Sequence, residues 1–158
     1  MTMDTAASTS TALRILREGF GPGAWHGPDL KAALADVTPA QAYWRAGTGH
    51  NIAEVAVHHA YYAHSVRSRL GVEPAEAFPL AGDDWFEINS EQQLAWPDVL
   101  ALVERQQERL ARVVEQIETG QATSPLSSAE RLDVVLGITC HAVYHAGQIQ
   151  LLKRLQRG

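Results

Sequence analysis

The chain has 158 residues, a length that supports one ordinary domain, and 46% of them are apolar, which is enough for a core and too many for global disorder. The formal net charge of −5 argues against a nucleic-acid polyanion as the main partner. A single cysteine, Cys140, excludes an intrachain disulfide and a cysteine-only zinc site, and no apolar run approaches the ~18 residues that a membrane helix needs.

Residues 1–10 are small and polar and lack the basic and apolar regions of a secretory signal. A cytoplasmic location is therefore expected, with residues 1–8 disordered or frayed. No repeat or Pro/Gly-rich linker divides the chain, so residues 1–158 read as a single domain.

The spacing of Leu13, Leu16 and Phe20 predicts a first helix over residues 9–19, stopped by Gly21-Pro22-Gly23. Short helices are predicted over 28–37, capped near Gly27, and over 39–46. A second long helix should start near His50. Asn51 followed by Glu54 has the spacing of a capping box, and Gly71 is a natural residue just past the helix end. Residues 71–95 read as a long connection anchored by Trp85 and Phe86.

The third helix has Pro97 and Asp98 in its first turn and an apolar stripe through Leu100, Val103, Leu110, Val114 and Ile117. Gln107 is the one polar residue in that stripe. Glu108 and Arg112 are placed to pair one turn apart, and Gly120 ends the helix. The fourth helix opens on Ser127 and Glu130, again at capping-box spacing, and runs to about Leu155. Alternating strand patterns are missing. The fold class is all-α, a four-helix bundle with short extra helices.

Seven histidines carry the chemistry: His26, His50, His58, His59, His64, His141 and His145. His141 and His145 lie four apart, one turn from each other on one helix face, a spacing that lets two imidazoles share one metal ion. Spacing alone is weak evidence. Their position within the apolar stripe of Val134, Ile138, Leu152 and Leu155 adds weight, because buried imidazoles need a hydrogen-bond partner or a metal. The second helix offers a third ligand. His59 lies nearer the centre of its apolar face and His58 toward one edge, so periodicity favours His59. His50 and His64 read as capping or exposed. Three imidazoles leave coordination positions open, as catalytic sites do, and they suit zinc, nickel, iron or copper.

The segment Tyr144-His145-Ala146-Gly147-Gln148-Ile149, preceded by His141, resembles the C-terminal signature of the DinB/YfiT-like superfamily of metal-dependent four-helix-bundle proteins. Ala24-Trp25-His26-Gly27-Pro28, His50-Asn51-Ile52-Ala53-Glu54 with Val57-His58, Asp84-Trp85-Phe86 and Trp96 resemble other parts of it in the same order. The resemblance implies a bundle with long crossover connections and a divalent metal held by His58, His141 and His145. That assignment differs from the periodicity reading. Zinc or nickel is the first expectation, iron or manganese the next. Relatives often carry an acid just after the first histidine of the last motif, where this chain has Ala142.

Members of the superfamily include thiol-dependent S-transferases and a thiol-dependent isomerase. The expected function is a metal-dependent enzyme acting by hydrolysis or thiol S-transfer, with a small-molecule substrate or a low-molecular-weight thiol as partner. The alternative is a non-catalytic metal-binding or stress-associated interaction module. A bundle with purely structural histidines is the third reading. Glu54 is a candidate base or a cap, Gln148 and Tyr144 candidate orienting groups, and Gln107 a residue facing the same cavity. Cys140 reads as buried and inert, and the four tryptophans as packing anchors. A homodimer is expected.

Overall fold

The computed structural model describes residues 10–157, so the expectation for residues 1–8 lies outside the described residues. Among these there are six helices and no strand: α1 (Thr11–Phe20), α2 (Leu30–Leu34), α3 (Pro39–Ala42), α4 (Ile52–Arg69), α5 (Trp96–Glu118) and α6 (Ser128–Leu155). Helix α4 packs on α5 and α6, and α1 packs on α6 and α5. One buried cluster joins α2, α4, the connection and the first half of α5 to Ala142, Ala146 and Ile149 of α6. A second joins α1 to the far ends of α4, α5 and α6.

Caps set most of the helix starts. The Ser10 side chain accepts from the Leu13 N–H, and the Ser127–Glu130 capping box forms in full. Helix α2 is shorter than its predicted span because Asp29, not Gly27, caps it. Helix α3 stops at Ala42, after one turn built on a Thr38–Gln41 capping box that periodicity over so few residues does not reveal. Asn51 caps α4, but Glu54 does not close the box, because its carboxylate is turned to other partners described below. Gly71, at φ +69°, ends α4 in the left-handed region, and a Cβ there would lie 2.8 Å from Pro125.

Gly19 lets α1 approach α6 closely, since a Cβ would meet Thr139 Cγ2 at 2.6 Å. Lys153 is buried at the end of α6, where it donates to the Ala33 carbonyl at 3.1 Å and pairs with Asp36, tying α6 to α2. The Glu108–Arg112 pair does not form. The charges of α5 reach outward to other helices instead, as in Lys31–Glu104 at 2.8 Å and Arg17–Glu115 at 3.5 Å. No helix of the described chain is long and apolar enough to cross a membrane.

The long connection is fastened at both ends. At its start Arg67, 1% exposed, pairs with Glu73 and Glu76, and Arg109 of α5 pairs with the same two carboxylates. At its far end Asn51 donates to the Ile88 carbonyl at 2.7 Å, the Ile88 N–H donates to Glu54 at 2.9 Å, and Tyr43 donates to the Leu94 carbonyl. Between these fixings, Asp84 and Trp85 lie over α4 and α6.

Candidate metal centre

His58 projects from α4, and His141 and His145 project from successive turns of α6. The pair of helices faces these rings toward one another. His141 Nε2 lies 3.2 Å from His58 Nε2 and 3.1 Å from His145 Nε2, and the three ligand atoms all lie within 4.8 Å of one another. Bonds of about 2.0–2.1 Å from imidazole to a zinc-sized ion place nitrogens about 3.3 Å apart around a tetrahedral centre. The two distances from His141 are close to that.

The outward nitrogens fix the proton positions. His58 Nδ1 donates to the Asp84 carbonyl at 2.8 Å, and His145 Nδ1 donates to Gln148 Oε1 at 2.6 Å. Both acceptors demand an N–H, so both rings aim a bare Nε2 lone pair inward. A proton on His141 Nε2 serves one of those two lone pairs. A divalent cation serves all three nitrogens at once. The residues present therefore fit such an ion, and the carbonyl and amide partners orient the rings as outer groups do around metal ligands.

Electrostatics agrees with a neutral, ligating set. Burial lowers the pKa of His58, an effect opposed by its bond to Asp84. Burial, reinforced by His145 and His58, pushes His141 down to about 3. Burial likewise pushes His145 down to about 4, against the contrary pull of Gln148. Metal ligation needs the neutral imidazole, and the site holds it in that form at neutral pH.

Trp85 forms the roof. Its indole is stacked between His50 at 3.7 Å and His58 at 3.8 Å, and meets His145 edge-on at 6.2 Å. Tyr62 donates to the Asp84 carboxylate at 3.0 Å and packs against His58 and His141. A cleft of about 300 Å³ between α4 and α6, walled by Tyr62, Val66, Val134, Gly137 and Ile138, ends on His141. A larger groove beside α1 and α5 contains none of the three histidines.

Other expectations resolve differently. His59, favoured by periodicity, is the most buried of the histidines, at 1% exposure. Its ring passes behind His141, with Nδ1 to Nδ1 at 3.2 Å, instead of joining the three converging nitrogens. Gln107 sits against His59, one ring removed from the cluster. His64 is buried rather than exposed: Arg67 donates to its Nδ1 at 3.1 Å, and its Nε2 donates to the Glu76 carbonyl at 3.2 Å. His50 bonds Glu54 and stacks on Trp85, while His26 is exposed.

Glu54 is 2% exposed and fully engaged by Arg45, His50 and the Ile88 N–H. Burial pushes its carboxyl up, but Arg45, the Ile88 amide and His50 together hold it below the usual carboxylate range. It is a structural hub and not a free base. Gln148 orients His145 as expected, whereas Tyr144 is 64% exposed and only packs edge-on against that ring. Cys140 is exposed, a correction to the buried reading. Trp96 is a buried anchor that donates to the Val37 carbonyl at 2.8 Å, but Trp25 is 98% exposed and Trp85 belongs to the site. Ala142 is buried in the core beside His141, a place with no room for a solvated carboxylate.

The family model of the DinB superfamily matches residues 24–149, most of the chain and every residue of this site. The chain belongs to the DinB superfamily. Neither the curated proteins nor the solved structures contain a match to it. For a DinB-superfamily chain, the all-helical fold and the cluster of His58, His141 and His145 are compatible with a divalent metal.

Proposed function

We propose that this DinB-superfamily chain is a metal-dependent enzyme in which His58, His141 and His145 hold one divalent ion, zinc or nickel first, iron or manganese next. The observation that carries the reading is the set of three inward Nε2 atoms, two of which are bare because their Nδ1 protons are spent on Asp84 and Gln148. Such an ion supplies Lewis acidity, which lowers the pKa of water or of a thiol toward neutrality. The chain's own residues set the rest. His58, His141 and His145 would hold the ion, and the cleft walled by Tyr62 and Ile138 ends on His141. The apolar walls at Val66, Val134 and Ile138 take an apolar part of the substrate and exclude water, and Trp85 covers the opposite side. The reaction is hydrolysis, or transfer of a low-molecular-weight thiol to an electrophile.

The four longer helices are read as a four-helix bundle with long crossover connections, supported by the packing of α4 on α5 and α6 and of α1 on α6 and α5. A cytoplasmic homodimer is the proposed working form. Leu132, Tyr144, Leu151 and Leu155, all exposed on α6, support the pairing.

One observation favours the non-catalytic alternative: Glu54, the nearest candidate base in sequence, is already locked by three partners. Screening the metal-loaded protein against thiol–electrophile pairs, esters and amides decides between the two. Turnover lost in His141→Ala establishes the enzyme. Stoichiometric metal binding with no turnover across the screen establishes the binding module.

A further inference from the structure

The proton count at the centre leaves one side chain unaccounted for. His59 follows His58 on α4, is 1% exposed, and touches the cluster only through His141. The Nδ1–Nδ1 contact at 3.2 Å has room for a single proton. His141 turns Nε2 to the shared point, so when that nitrogen is a ligand the neutral ring carries its proton on Nδ1. His59 Nδ1 must then accept. A neutral His59 that accepts at Nδ1 carries its own proton on Nε2.

The other edge of the ring faces Gln107 of α5. His59 Nε2 is buried and has no hydrogen-bond partner among the described residues, and the Gln107 side chain lies against the His59 ring.

We propose that His59 is the positioning residue for His141, accepting its Nδ1 proton and passing the orientation back to Gln107. The inference rests on the reading of His58, His141 and His145 as metal ligands. Its chemical consequence concerns charge. Outer partners of metal-bound histidines are often carboxylates, which donate negative charge through the ring. Here the partner of His141 is a neutral imidazole, as the partner of His145 is the neutral Gln148 amide. The His141 ring is thereby held in place by a partner that adds no negative charge to it.

The test uses zinc alone as the probe and three variants of the full chain. The Oδ1 atom of His59→Asn reproduces the Nδ1 acceptor, whereas His59→Gln and His59→Phe fill more of the space but present no acceptor there. The expected result is zinc binding within about threefold of wild type for His59→Asn, and weaker by about 10–100-fold for His59→Gln and His59→Phe. A packing role gives the opposite order, with the smallest side chain worst. In parallel, nitrogen-15 NMR of the zinc-loaded wild type should show His59 protonated at Nε2 and His141 at Nδ1, a readout that needs no variant to fold. His59 protonated at Nδ1, or His59→Asn as weak as His59→Phe, overturns the proposal while leaving the metal site standing. A wild type that binds no zinc overturns both.

Discussion

Four imidazoles share one patch of interior, and each is harder to protonate there than in water. Burial is the main cause at His58, His59, His141 and His145, and it sets His59 at about 3, His141 at about 3 and His145 at about 4. The unfolded chain takes up protons on these rings below the ordinary value of 6.5, and the folded chain does not. Stability of the metal-free protein is therefore whole above that value and falls as pH drops from it toward about 3. Urea titrations in chelator across this range check the slope; a flat profile contradicts it. Trp85 gives a second handle, since its indole is stacked on His58. Paramagnetic nickel at the cluster should quench part of the tryptophan emission, and Trp85→Phe should abolish most of that change. The His141–His145 pair is legible in sequence because i,i+4 spacing fixes a shared face. The choice between His58 and His59 is not. Every residue from Asn51 to Ala60 is buried, so no polar face sets the rotation of α4, and the most buried ring turns out to stand behind His141 and outside the three-ring cluster.

At the scale of elements, residues 71–95 hold the roof over the centre, and charge holds those residues. Arg67 has Glu73, Glu76 and the His64 ring as partners, and Arg109 adds a second cation from α5. Arg67→Ala should lower stability by about 2 kcal/mol, less than the ~3–5 kcal/mol typical of breaking a fully buried pair, because Glu73 and Glu76 reach solvent and keep Arg109. Equilibrium denaturation measures it, and no loss would show that the clamp is ornamental to folding. The sequence pattern places Phe86 as an anchor, and it is buried. It carries no sign of the clamp, because ion pairs between distant residues leave no period. The long helices are legible through apolar spacing and caps, α3 is too short to show a period, and the exposure of Cys140 is hidden because α6 is uncharged from Val134 to Leu152.

For the whole molecule, the exposed apolar side chains of α6 and the three-histidine cluster each lead to an expectation. If the exposed apolar side chains pair two copies, sedimentation should give a dimer, and Tyr144→Glu with Leu151→Glu should give a monomer; a monomeric wild type contradicts the pairing. Binding of an ion to the folded chain alone should raise the unfolding free energy by about 2.7 kcal/mol at a hundredfold excess over the dissociation constant, and chelator should reverse it. The most direct measurement is elemental analysis of the untagged protein beside a variant with His58, His141 and His145 all changed to alanine. One divalent ion per wild-type chain, and none in the variant, is the expected result. A wild type devoid of metal after exposure to zinc and nickel, or a variant that keeps full occupancy, would show that these three rings do not form the centre.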